Sequence, residues 1–296
     1  MGNAWAPVII TENDLKKFLA KGLCLIFLLS TFFAGYSQTS DTYMNSGISK
    51  AELKDFRGAI ADFTKAIELN PKYAVPYMNR GISKAELKDF RGAMVDFSEA
   101  LKLNPNYAVA YMNRGVTRFN LKDYEGAIVD NTKAIELNPN LSVAYIFRGS
   151  SKTELKDFQG ALADNSKAIE LNPNQVMPYI NRAGLKFILK DYRGAIADAT
   201  KAIELNPNIP LAYYNRGIAK IELGQKDGGC LDLRKAGELG DAESYRSFKK
   251  ITATNQSKGI NLILRKTTPM QVPHMPTHIQ STGIRVVKSS QVRHRA

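Results

Sequence analysis

One stretch of the chain is written twice. "YMNSGISKAELKDFRGA", Tyr43 to Ala59, returns 34 residues later as "YMNRGISKAELKDFRGA", Tyr77 to Ala93, with only Ser46 exchanged for Arg80. A fixed period of this length constrains the fold more than any other feature, because it makes each copy one supersecondary unit stacked on the next. At that spacing Tyr43, Tyr77, Tyr111, Tyr145, Tyr179 and Tyr213 share a column. Gly47, Gly81, Gly115, Gly149 and Gly217 share another, which Ala183 interrupts once. Ala59, Ala93, Ala127, Ala161 and Ala195 form a third, ending in Gly229, and "LNP" closes five copies at Pro71, Pro105, Pro139, Pro173 and Pro207. Six units fit, at 40–73, 74–107, 108–141, 142–175, 176–209 and 210–243.

Inside a unit the apolar residues fall at helical spacing: Tyr77, Gly81 and Leu87, then Phe90, Ala93, Phe97, Ala100 and Leu101. Small residues at Gly81, Ala93 and Ala100 let two antiparallel helices approach, and aromatic rings fill the space between them. "LKD" makes the turn, with Asp89 placed to cap the second helix. "LNP" ends that helix, since the residue before proline avoids the α region and proline has no N–H to donate. Pro76, Pro178 and Pro210 stand at the starts of first helices, where proline is tolerated. A single hairpin cannot bury its apolar face, so the units must stack.

These columns resemble the tetratricopeptide repeat. Tyr77, Gly81, Ala93, Phe97, Ala100 and Pro105 stand where that family's pattern wants them, and the resemblance recurs in six units over about 204 of the 296 residues. The resemblance implies an all-α fold: a right-handed α-solenoid of six helix-turn-helix repeats. The departures are regular. The family's usual Leu is Arg80, Arg114, Arg148, Arg182 or Arg216, and its second Tyr is Lys84, Arg118, Lys152, Lys186 or Lys220, as in "NRG…K…D" repeats of bacterial proteins. Asp62, Asp96, Asp130, Asp164, Asp198 and Asp232 form one more column. A partly buried arginine needs a carboxylate. Each Arg is therefore expected to pair with the Asp of the preceding unit, from Asp62 with Arg80 to Asp198 with Arg216; solvated surface charge is the alternative. Ser46 replaces Arg where no unit precedes. The sixth unit lacks "LNP", residues 244–250 read as a capping helix, and Cys230 reads as a small core residue.

The resemblance also implies where function sits. First helices would line a concave groove, with Asn45, Asn79, Asn113, Asn181 and Asn215 along it and Phe147 in their column. Beside them stand Met44, Met78, Met112, Ile146, Ile180 and Tyr214, and Glu52, Glu86, Glu154 and Glu222 follow at the groove edge. Amides can donate to and accept from an extended main chain, and methionine suits an adaptable apolar contact. The alternative is that the asparagines bridge adjacent helices. The columns at which relatives clamp a terminal carboxylate hold Val75, Val109, Met177 and Leu211, so chaperone-tail binding is disfavoured.

The flanks differ from the repeats. Lys16, Lys17 and Lys21 precede "GLCLIFLLSTFFA", then small residues at Gly35 and Ser37, which reads as a signal peptide over 1–37 cleaved after Ser37. The fourteen residues before Leu15, with Glu12 and Asp14, are long for such a segment and place its expected start near residue 15. An uncleaved anchor is the alternative. The expected destination is the periplasm, the cell surface or the medium. Net charge is +13, yet 39–250 holds 31 basic and 26 acidic residues. The excess lies largely in 251–296, which has seven Lys or Arg and no acid, and whose composition reads as disordered.

Taken together, the residues point to a non-catalytic scaffold for a protein or peptide partner, with no small-molecule substrate, cofactor or metal implied. All three histidines lie in the tail and the repeats offer no nucleophile–base pair; an enzyme using Glu86 and Glu154 is the distant rival. An envelope- or nucleic-acid-associated protein acting through the tail is the other. Its charge would bind anions in a salt-dependent way, but it has no aromatic residue for base stacking.

Overall fold

A computed structural model describes residues 40–241 and Arg246. Among them are twelve helices and no strand. They are α1 (40–52), α2 (Phe56–Leu69), α3 (Ala74–Glu86), α4 (Phe90–Leu103), α5 (Ala108–Asn120), α6 (Tyr124–Leu137), α7 (Ser142–Glu154), α8 (Phe158–Leu171), α9 (Val176–Ile188), α10 (Tyr192–Leu205), α11 (Pro210–Glu222) and α12 (Lys226–Glu238). From α2 onward each helix packs on the next, and Met44, Ile48 and Ala51 of α1 share a core with Ala59, Phe63 and Ala66 of α2, so six hairpins stack in chain order. The signal segment, the tail and, apart from helical Arg246, the expected capping helix lie outside the described residues.

Local chemistry sets the boundaries. Asp55, Asp89, Asp123, Asp157 and Asp191 cap the second helices, accepting from the N–H three residues on at 2.9–3.0 Å. That N–H belongs to glycine each time, for a Cβ at Gly92 would lie 2.2 Å from the Asp89 carboxylate. Ahead of each cap, Lys54, Lys88, Lys122, Lys156 and Lys190 hold φ of 63–65°, the left-handed conformation that reverses the chain; Gly224 takes the role in the sixth turn. At the other end, Asn104, Asn138, Asn172 and Asn206 each accept from the N–H two residues on, wrapping the proline of "LNPN" in a side-chain turn.

Between the helices of a unit, Gly47 and Gly81 give room to Phe63 and Phe97; a Cβ at Gly81 would stand 2.7 Å from the Phe97 ring. The ring column does not persist. Asn131 and Asn165 take its place in units 3 and 4, both fully buried, each donating to a carbonyl one turn back and each leaving Oδ1 without a partner. Ala199 and Leu233 follow in units 5 and 6. Cys230 packs beside Ile218, Ile221 and Leu233, and burial together with Asp227 pushes its thiol pKa up.

The arginine column corrects one expectation. Arg80, Arg114, Arg148, Arg182 and Arg216 pair with the Asp of their own unit, sixteen residues on, through two bonds of 2.7–3.0 Å. The preceding unit supplies a hydroxyl instead. Thr64, Ser98, Thr132, Ser166 and Thr200 each accept from the remaining guanidinium nitrogen at 3.1–3.4 Å. The same Asp also takes Lys84, Arg118, Lys152, Lys186 or Lys220, one helical turn past the arginine. Each guanidinium lies over the Tyr three residues before it, 5.4–5.9 Å from the ring centre. In unit 1, Ser46 donates to Asp62 at 2.6 Å and Lys50 reaches the same carboxylate, so no arginine is left without a preceding hydroxyl.

Candidate partner-binding wall

Which side of the stack is inner follows from which helices meet. First helices touch the first helices of neighbouring units, α5 with α7 and α9 with α11 most closely, whereas second helices make no comparable contact with each other. The first helices therefore stand on the inside of the curve and the second helices on the outside.

That close approach decides the fate of the expected groove residues. Met78, Met112, Ile146 and Ile180 are buried, as is Met44, so this column is core and presents nothing to a partner. The asparagine column faces the preceding unit. Asn79, Asn113 and Asn215 are buried, while Asn45, with no unit before it in the described chain, is exposed. Asn113 donates to Met78 Sδ at 3.8 Å, Asn215 to the Ile180 carbonyl at 3.2 Å, and half-buried Asn181 to Ser150 Oγ at 3.4 Å. These bonds match the bridging alternative, and they leave Asn45, Asn181 and Tyr214 as the members of the expected set with solvent access.

What the wall does offer is aromatic, and sits at the C-terminal ends of the first helices. Half-buried Phe119 meets Phe147 of the next first helix edge-on, centroids 5.7 Å apart, and Tyr124 at 5.6 Å. Two units on, Phe187 meets Tyr192 at 5.5 Å and packs in the cluster that holds Tyr214. Burial first, then the nearby Glu154 and Glu222 carboxylates, raise the pKa values of Tyr124 and Tyr192. Between the two clusters Ile188, 38% exposed, occupies the column of Glu154 and Glu222. In unit 2 that column holds Glu86, whose pKa burial raises and Lys54 partly restores. Among the described residues no group of three His, Cys, Asp or Glu could hold a metal ion, and no helix is long and apolar enough to cross a membrane.

Family models described as "Tetratricopeptide repeat" match residues 40–73, 108–141, 178–209 and 199–229. The chain is a tetratricopeptide repeat protein. Solved structures agree on the fold. A tetratricopeptide protein named YrrB, described as having an unusual peptide-binding site, is 24% identical with a TM-score of 0.54, over 64% of this chain and 97% of that one. The MamA protein is 25% identical with a TM-score of 0.51, over 58% and 94%. PilF of Pseudomonas aeruginosa is 18% identical with a TM-score of 0.66, over 73% and 99%. No curated protein matches the chain in sequence.

In this tetratricopeptide repeat protein, sequence reading placed Glu154 and Glu222 at the wall's edge but passed over Phe119, Tyr124, Phe187 and Tyr192. A signal was available. Phe119 and Phe187 fill a column that holds Ala51 and Ala85 in the first two units, and Tyr124 and Tyr192 replace Phe56, Phe90 and Phe158 in another. Both substitutions occur in units 3 and 5.

Proposed function

We propose that this protein is a non-catalytic scaffold that holds a segment of another protein along its inner wall, on units 3 to 6. One observation carries the reading. At the C-terminal ends of the first helices, units 1 and 2 carry buried Ala51 and Ala85, whereas units 3 and 5 carry half-buried Phe119 and Phe187, the latter with partly exposed Ile188 next in the chain and Tyr214 packed in its cluster. Partly exposed aromatic rings on a rigid concave surface are what protein recognition uses most. A peptide-binding site in YrrB, a protein of the same fold, supports the reading. The signal-like N-terminal segment extends it to an exported scaffold, periplasmic, surface-held or secreted. A mature N-terminus at Gln38 is the outcome that supports export.

The test is affinity capture with the full chain, an Ile188→Arg variant and a chain ending at Lys250. Loss of the partner from the Ile188→Arg variant alone is the expected result. Loss from the truncated chain alone would transfer the function to the basic tail.

A further inference from the structure

The first helices end on a row of leucines. Leu121, Leu155, Leu189 and Leu223 each stand at the C-cap of a first helix, ahead of the turn into the second. All four are 37–42% exposed. A lone exposed leucine is ordinary, whereas a row of them along one edge marks a contact surface. The helices that carry them touch in sequence, α5 with α7, α7 with α9 and α9 with α11, so the leucines follow one another along one rim. Contacting helices lie ~8–10 Å apart, which gives the row a pitch of that size and a length of roughly 24–30 Å.

The pitch decides what kind of segment fits. A β-strand returns to the same face every second residue, about 6.6–6.8 Å on, and so falls out of step with the leucines. A polyproline II helix has three residues per turn and rises 3.1 Å per residue, so every third side chain shares a face at about 9.3 Å. Residues 269–279, "PMQVPHMPTHI", lie outside the described residues and carry that period in Met270, Pro273, Pro276 and Ile279. In this conformation those four side chains span about 28 Å, the length of the row. Pro269, Pro273 and Pro276 fix their own φ near the required value and bias Thr268, Val272 and Met275 before them the same way. An α-helix would match the pitch at every seventh residue, but these prolines exclude one here.

We propose that residues 269–279 of the chain's own tail lie along this rim as a polyproline II helix, with Met270, Pro273, Pro276 and Ile279 each over one of the four leucines. Reach permits it. The 28 residues from 242 to 269 extend up to roughly 90–100 Å, several times the length of the row. Charge favours it. In residues 120–123, 154–157, 188–191 and 222–225, five carboxylates (Asp123, Glu154, Asp157, Asp191 and Glu222) outnumber Lys122, Lys156 and Lys190, whereas the tail from 251 has seven Lys or Arg and no acid. Tethering adds to this, since a short linker gives an attached segment an effective concentration of about millimolar order. The docking needs no partner, so it stands or falls apart from the scaffold reading. Ile188 immediately precedes Leu189, so the docked tail borders the proposed wall.

The experiment places benzoylphenylalanine at Met270 in one full-length chain and at Ile279 in another, and locates the photo-adducts by mass spectrometry in a mixture of isotopically light and heavy protein. The two positions are expected to label opposite ends of the row, the turn after Leu121 and the turn after Leu223, within one molecule. One alanine inserted between Pro273 and His274 leaves the folded units untouched but throws Met270 and Pro273 out of step with Pro276 and Ile279. Labelling at both ends is then expected to be lost. The Leu155→Ser, Leu189→Ser double variant changes side chains already partly in water, and should keep its melting temperature while losing the adducts; if melting falls, the insertion alone decides. An absence of adducts, adducts confined to second helices, labelling unmoved by the insertion, or adducts that join a light chain to a heavy one would each overturn the proposal.

Discussion

Arg148 grips Asp164 of its own unit with two parallel bonds, Nε to Oδ2 at 3.0 Å and Nη2 to Oδ1 at 2.7 Å, and turns its third nitrogen to Thr132 of the unit before. One side chain thus fastens a hairpin internally and ties it to its neighbour. The carboxylate is 5% exposed and also holds Lys152, so its removal strands two cations.

Asp164→Ala is expected to lower unfolding free energy by about 3–5 kcal/mol, the usual cost of leaving a buried charge unpaired. Arg148→Ala should cost less, since Lys152 remains on the carboxylate. Urea unfolding followed by circular dichroism checks both, with the two variants compared within one transition because repeat arrays need not unfold in one step.

Thr132→Val separates the tie between units from the grip within one. It removes the 3.2 Å bond to Arg148 and keeps the side-chain shape. The expected loss is about 1 kcal/mol, with faster amide exchange in α1–α6 relative to α7–α12 as the sign that coupling between units has weakened.

Lys156 holds φ at 65°, a conformation that costs an L-residue with a side chain about 1–2 kcal/mol. Lys156→Gly should therefore stabilise the chain by up to about 1 kcal/mol, as the sixth turn already has Gly224 at φ 80°. Thermal unfolding measures it.

Asn165 is fully buried with Oδ1 unpartnered, in the column where unit 6 has buried Leu233 and where a glycine faces both. Asn165→Leu should raise stability by roughly 1–2 kcal/mol, since an unsatisfied buried acceptor is exchanged for apolar packing.

Glu86 supplies a pH signature. Burial raises its folded pKa above the ordinary glutamate value, so the folded state binds this proton more tightly than the unfolded state. Its contribution to stability then falls as pH rises from the unfolded pKa through the folded one, and the penalty is complete above both. Glu86→Gln should be more stable than the parent at neutral pH, with the difference shrinking as pH falls below the glutamate range. Denaturation midpoints across that range measure it.

Much of the fold was legible because its signals are local. Asp89, the "LKD" turn and "LNP" each act within four residues, so a 34-residue period of them fixes six hairpins. The arginine partner was misread by one unit for a physical reason. Arg80 lies 16 residues before Asp96 and 18 after Asp62, and both aspartates sit on second helices that pack on α3. Lys84, a turn further along the same face and bound to the same Asp96, marks the partner as internal. The burial of most of the asparagine and methionine columns was not legible, for a different reason. Whether an amide on a first helix faces a groove or a neighbour depends on how closely first helices approach, a tertiary distance that no column of residues records. Asn45, exposed where Asn79 is buried, shows that the neighbour closes the column.

Photo-cross-linking tests the scaffold reading most directly. Benzoylphenylalanine replaces Ile188 at the inner wall in one full-length chain and Val129, 64% exposed on α6, in another. The captured protein is then sought in covalent adducts of each. Adducts from position 188 and none from 129 are predicted. Adducts from 129 alone would contradict the account and move recognition to the outer helices.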